Sequence, residues 1–209
     1  MRLAALAFLF IGTFLLLQII FPVVSFHLWA LGQEYNNKDL ISPSKSVGKV
    51  LGISVQDKNN FPTFVSNLTR ERDPSYAEFL ISIPRLKIDK RFVYVDSNDL
   101  SKGLVQLPGS TLPGEKGNVF ISGHSALSKF IPGQDAVFAK LMDLKKGDEI
   151  LVEAANNKFV YKVVGLKVVD PSDLSVIAPP DDQGRYISLM TCVPPGLNYK
   201  RLVVLGKVI

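Results

Sequence analysis

The spacing of apolar residues changes character along the chain. Residues 3–24 read LAALAFLFIGTFLLLQIIFPVV, and no formally charged side chain falls between Arg2 and Glu34. About 20 apolar residues at ~1.5 Å each span the ~30 Å hydrocarbon core of a bilayer, so this run predicts a transmembrane helix within residues 1–31. Pro22 is expected to kink or end it, and His27 and Trp29 suit the membrane–water boundary. Residues 32–76 then read as a polar stalk, with Ser, Asn and Pro and no sustained period. Inside it Phe61, Phe64, Val65 and Leu68 recur at helical spacing and predict a short docking helix. Asp73-Pro74 marks a break before the next region.

From about Ala77 the period shortens to that of strands. Apolar runs at Phe79–Ile83 (stopped by Pro84), Phe92–Val95, Lys102–Leu107 and Asn118–Ser122 predict four strands. Glu149–Ala154 and Lys158–Val169 flank Asn156-Asn157, a hairpin signal, and Tyr186–Cys192 and Arg201–Val208 complete the set. Asp135–Leu144 is the one helical stretch, with Val137, Phe138, Leu141 and Leu144 on one face. Many short strands and few helices predict a mainly β, closed or nearly closed barrel over residues 77–209.

Composition and charge narrow the compartment and the partners. The 209 residues allow one domain with appendages, and 47% hydrophobic residues exclude a disordered chain. The formal charge of +5, from 24 basic and 19 acidic residues, comes without a dense Lys/Arg stripe, which argues against nucleic acid as a partner. Arg2 ahead of the apolar run favours a cytoplasmic N-terminus and an extracytoplasmic remainder. A cleaved signal peptide is the competing reading. It would have a shorter apolar core and a small-residue cleavage site, for which Ala30 and Gly32 are poor material.

Candidate chemistry is sparse and therefore informative. Cys192 is the only cysteine, so no intramolecular disulfide exists. It ends an apolar run and is followed by Val193-Pro194-Pro195-Gly196, which stops a strand and makes a turn. His124 is the only histidine outside the first segment, and it too follows the end of a strand. Arg201 opens the strand after Cys192. Antiparallel pairing of those two strands would bring the guanidinium to the thiol, where a cation favours thiolate. Each residue has a plain alternative: a buried inert thiol, a structural histidine, a surface salt bridge. Together a Cys–His pair forms a nucleophile with its base. No Asp or Glu lies near His124 in sequence, so no orienting carboxylate is defined.

With these residues in view the stretch from about Ala77 to Ile209 resembles the sortase family. Ser188-Leu189-Met190-Thr191-Cys192 resembles its TLxTC signature, and Gly123-His124 after an apolar strand its histidine segment. Phe138, Leu141, Leu144, Lys145, Gly147, Asp148 and Ile150 fit its F-x-x-L-x-x-L-K-x-G-D-x-I stretch. Leu107-Pro108-Gly109-Ser110 and Leu112-Pro113-Gly114 resemble the loop before the histidine strand, and Arg201-Leu202-Val203-Val204 the arginine strand. Thr191-Cys192, Pro194, Gly196, Asn198 and Arg201 look like the run of pilus-type members. Those members often carry a lid with an Asp-Pro-aromatic motif. Here Ser75 separates Asp73-Pro74 from Tyr76, so a simple turn before the first strand competes with a lid.

The resemblance implies an eight-stranded β barrel that cuts a Leu-Pro-x-Thr-Gly-like (LPXTG-like) sorting signal between Thr and Gly. Cys192 would attack the Thr carbonyl to form a thioacyl enzyme. His124 would move the proton, and Arg201 would stabilise the oxyanion. An amine, from a cell-wall precursor or a pilin lysine, would take the acyl group. Thr191 is carried over as a substrate-binding residue of the signature. Recognition is placed on the loop after Val169, where Val176 and Ile177 would hold Leu and Pro of the signal or else serve as core beneath it. No metal or other cofactor is implied, and no acidic cluster suggests one. Two rivals stand beside this reading. An L,D-transpeptidase would need a Ser-His-Gly-Cys cluster where Leu-Met-Thr precedes Cys192. A non-enzymatic, membrane-tethered binding module would not need Cys192, His124 and Arg201 together.

Overall fold

The computed structural model describes residues 2–36, 53–58, 61–66, 74–125, 136–195 and 199–209. Residues 1–38 and 39–209 form two separate compact units. In the first, a helix, α1, runs Arg2–Asn36. It passes the expected end at residue 31, and Pro22 does not terminate it. Its stretch Phe8–Trp29 is long and apolar enough to cross a membrane, by length and composition.

The second unit opens with a hairpin where stalk and helix were expected. Strands β1 (Ile53–Lys58) and β2 (Phe61–Ser66) pair antiparallel, with Ile53 opposite Ser66 and Lys58 opposite Phe61. The helical spacing of Phe61, Phe64 and Val65 misled because Asn59-Asn60, a two-residue turn signal, sits between two strand-like runs. Leu68 and Asp73 lie outside the described residues, and with Asp73 the lid question. Near its open end the hairpin meets the rest of the unit. The backbone of Ser66 exchanges two hydrogen bonds with the Asn98 side chain, N–H to Oδ1 at 3.3 Å and C=O from Nδ2 at 3.2 Å.

Eight further strands close into a barrel, as the resemblance implies: β3 (Glu78–Ile83), β4 (Ile88–Tyr94), β5 (Leu104–Gln106), β6 (Gly117–Ser122), β7 (Glu149–Ala154), β8 (Asn157–Val169), β9 (Arg185–Val193) and β10 (Lys200–Val208). Around the barrel the order is β10-β8-β7-β3-β4-β5-β6-β9, with β9 returning to β10. The pairs β4–β5 and β6–β9 are parallel and the others antiparallel. Strict alternation on β3 and β7, buried at every second residue, reflects one face on the core. Ile81, Ile83, Phe120, Ile150, Val152, Ile187 and Leu189 are all fully buried. The β7–β8 turn falls on Ala155-Asn156, one residue earlier than expected, and both have positive φ (47° and 63°) as a primed two-residue turn requires.

The predicted helix over Asp135–Leu144 is not a helix among its described residues. Val137–Lys140 form turns, followed by a 3-10 turn, Leu141–Asp143. Phe138, Leu141 and Leu144 are nonetheless buried. Its apolar spacing therefore reports an inward face that a short turn presents as well as a helix.

Candidate active site

Three chain segments converge on one rim of the barrel. Cys192 and Arg201 are direct partners across the antiparallel pair β9–β10, so their side chains leave the sheet on the same face. Strand β6 lies on the other side of β9 and runs parallel to it, with Ser122 in register with Met190. The chain that continues from β6 through Gly123 therefore delivers His124 beside Cys192. Two hydrogen bonds fix that approach: the Gly123 N–H donates to the Met190 carbonyl at 3.1 Å, and the Thr191 hydroxyl donates to the Gly123 carbonyl at 2.8 Å. Thr191 is buried. As placed, its side chain is a strut between the cysteine strand and the histidine loop.

Gly123 is where side chains come too close for a Cβ. One built there would lie 2.5 Å from a Leu104 methyl and 2.7 Å from the Phe138 ring. The loop can thus press onto the barrel only because residue 123 has no side chain. On its far side the His124 carbonyl accepts the Phe138 N–H at 3.1 Å. The imidazole donates to the backbone of Leu100, in the 3-10 turn Leu100–Lys102. Asp99 caps that turn, accepting the Ser101 N–H at 3.1 Å. The sequence reading offered no partner for this imidazole; the available signal for the Leu100 contact was the capped Asp-Leu-Ser-Lys-Gly turn.

Protonation is set chiefly by burial. Loss of solvent pushes the half-buried Cys192 thiol up, and the Arg201 charge only partly offsets it. The expected effect of Arg201 is present but does not win. Burial likewise lowers His124 below the usual histidine range, with the Leu100 backbone bond opposing. Arg201 is 1% exposed, which excludes a surface salt bridge. Its Nη1 donates to the Lys200 carbonyl at 3.1 Å. Among the described residues, no group of three His, Cys, Asp or Glu side chains could hold a metal ion.

The face that carries Cys192 and Arg201 continues as an apolar strip. Met190 and Val203 lie two residues further along β9 and β10, are cross-strand partners, and cluster with Leu107, Phe120, Val169 and Ile177. The loop between β8 and β9 covers this strip. Ile177 is buried within it, whereas Val176 and Leu174, like Ile53 of β1, are half-buried and packed against it. The loop is pinned in three places. Lys200 Nζ pairs with Asp170 at 2.6 Å, the Asn118 amide donates to the Ile177 carbonyl at 2.9 Å, and the Tyr186 hydroxyl bonds Asp181. Asn118 was not singled out from sequence; a polar residue inside the apolar run of β6 was the available signal.

Comparison with known proteins places these features. The family model for the sortase domain matches residues 81–209. A curated relative, sortase D of Bacillus subtilis, is 29% identical over 154 residues, covering 72% of this chain and 73% of the relative. Sortase A from Corynebacterium diphtheriae, a lid mutant, superposes with a TM-score of 0.56 at 33% identity, over 66% of this chain and 73% of that one. Clostridium perfringens sortase C, solved with the C-terminal cell wall sorting motif, gives 0.57 at 30% identity, over 67% and 78%. The domain match covers more than half of the chain, and the closed eight-stranded barrel agrees with the solved neighbours: this protein belongs to the sortase family, whose members are cysteine transpeptidases.

Proposed function

We propose that the protein is a membrane-anchored transpeptidase that cleaves an LPXTG-like sorting signal and transfers the acyl portion to an amine. The observation that carries this reading is the direct pairing of Cys192 with Arg201, with the His124 loop tied to the same strand through Thr191. Cys192 Sγ attacks the Thr carbonyl of the signal. The buried Arg201 guanidinium faces the charge that develops on the carbonyl oxygen. His124 gives a proton to the departing glycine amine, and the C–N bond breaks to leave a thioacyl enzyme. It then takes a proton from the incoming amine, or from water when no acceptor is present.

Recognition is assigned to the apolar strip beside the thiol. Val176, with Leu174, offers partly exposed surface for Leu and Pro of the signal, and Ile177 is the buried base beneath them. The relative crystallised with a sorting motif supports this class of substrate. The acceptor is a cell-wall precursor or a pilin lysine. Helix α1 would serve as a single-pass anchor, with the hairpin β1–β2 and the catalytic domain, residues 77–209, outside the cytoplasm.

The test uses the full chain in non-ionic detergent with a panel of Leu-Pro-x-Thr-Gly-like peptides and glycine- or lysine-based amines. Mass spectrometry should show cleavage after Thr, a thioacyl adduct on Cys192 and an amide product. Absence of any adduct across the panel, with Cys192 refractory to thiol labelling, would favour a binding module.

A further inference from the structure

The hairpin β1–β2 is laid on the barrel by its open end. Ile53 and Ser66 are direct cross-strand partners there, so their side chains leave the hairpin on one face. Ser66 is buried, and its backbone is held from both sides by the Asn98 amide. Ile53, on the other strand, packs against the apolar strip that contains Met190 and Val203.

The two contacts locate the hairpin relative to the chemistry. Asn98 directly precedes Asp99, the cap of the turn whose Leu100 backbone bonds His124. The segment just before it is tied to Gln106. The Asp96 N–H donates to Gln106 Oε1 at 2.8 Å, and the Ser97 N–H to the Gln106 carbonyl at 3.1 Å. Gln106 is fully buried, and Leu107 after it belongs to the strip. The open end of the hairpin therefore reaches from the histidine side of the site to the strip beside the thiol.

Ile53 keeps part of its surface. It is half-buried, as are Leu174 and Val176 of the β8–β9 loop, which pack against the same strip. Three aliphatic side chains from two separate segments thus flank one apolar track. Strand pairing and the two Asn98 bonds hold Ile53 in place before any ligand arrives, which limits the entropy lost on binding. Ile and Val, branched at Cβ, hold few rotamers, so the space beside them selects shape as well as apolarity. Strand β1 lies outside the residues 81–209 that the family model matches, so this flank comes from a part of the chain beyond the family domain.

We propose that Ile53 is a specificity-determining residue. It forms the wall of the subsite opposite Val176 and packs on the Leu side chain of the sorting signal. The assignment rests on the transpeptidase reading above and extends recognition to the hairpin β1–β2.

The test uses the full chain in non-ionic detergent and four peptides that differ only in the residue before Pro-x-Thr-Gly: Leu, Met, Val or Ala. Each is assayed with the natural chain, Ile53→Val and Ile53→Ala. Ile53→Ala should lower kcat/KM for the Leu peptide about 10-fold more than for the Ala peptide, the scale of a methylene or two in an apolar subsite. The loss should fall mainly on KM, and Ile53→Val should lie in between. For a peptide that is not cleaved, its inhibition constant against the Leu peptide takes the place of KM. Peptides are compared within each variant, so a general loss of folded or active enzyme cancels, as in a double-mutant cycle. A fall by one common factor for all four peptides marks Ile53 as a structural contact of the hairpin and overturns the proposal. A common rise marks the hairpin as a cover that substrate must displace, and overturns it too. If no peptide acylates Cys192 of the natural chain, the transpeptidase reading has failed and the wall falls with it. Cleavage without the Leu-specific loss leaves that reading standing and removes only the wall.

Discussion

At the scale of single residues, the opposed effects of burial define the resting state. A raised thiol and a lowered imidazole leave Cys192 and His124 mostly neutral near pH 7, and the reactive thiolate–imidazolium pair is a minor form. Peptide cleavage should therefore hold level between the two pKa values. It should fall on the acid side only below the ordinary histidine range, and on the alkaline side only above the ordinary thiol range; kcat/KM against pH checks both limbs. Arg201→Ala removes the one charge that pulls the thiol down, so the alkylation of Cys192 by iodoacetamide should shift to higher pH. An unmoved alkylation profile would mean that the thiol does not feel Arg201. In turnover, Cys192→Ala should abolish thioacyl formation, His124→Ala should cost about 10²–10⁴-fold, and Arg201→Lys, which loses the planar fork, about 10²–10³-fold. Gly123→Ala, with a methyl 2.5 Å from Leu104 and 2.7 Å from Phe138, should destabilise the chain by about 1–3 kcal/mol through overpacking. It should also lower kcat by displacing His124, measured by thermal melts alongside cleavage assays. The three proposed catalytic residues stood out in the sequence because each is chemically conspicuous and ends or opens a strand. Leu100, Gly123 and Asn118 did not, since they act through a backbone group, a missing Cβ and one amide bond across the barrel.

At the scale of elements, legibility followed the strength of the period-2 pattern. β3 and β7 were placed within a residue or so because one face of each meets the core, and β9, buried on both faces, because its apolar run is bounded by turn residues. The hairpin β1–β2 was read as stalk and helix, because Phe61, Phe64 and Val65 satisfy helical spacing by accident in a six-residue strand, too short for periodicity to decide. The stretch before β7 failed in the opposite way: Phe138, Leu141 and Leu144 do face the core, but from turns. The proposed recognition loop between β8 and β9 is the element whose function is easiest to separate from its fold. Replacing residues 170–184 by another sortase's loop, with Asn118 kept, should change peptide preference while the thiol remains acylable. Asn118→Leu removes the bond to the Ile177 carbonyl and should raise the peptide KM with a smaller effect on kcat. Steady-state kinetics on a peptide panel test both, and an unaltered preference in an active chimera would place recognition elsewhere.

For the whole molecule, the long apolar helix and the barrel make separate demands. In intact cells the full chain should fractionate with membranes, and a membrane-impermeant maleimide should label Cys192 without lysis. Labelling only after lysis would invert the proposed topology. The barrel and its closure were expected from many short strands and from the resemblance, but the order of strands around it could not be read from periodicity. That order depends on the pairs β3–β7 and β6–β9, which join segments far apart in sequence. The pinned loop over the apolar strip has a historical consequence. Because Cys192, Arg201 and His124 all hang from strand ends, while the segment proposed to face the signal lies between β8 and β9, held by Asp170, Ile177 and Asp181, the two can diverge at different tempos. Descendants of one ancestor can acquire new cargo by drift within some fifteen residues, keeping an unaltered reaction centre throughout.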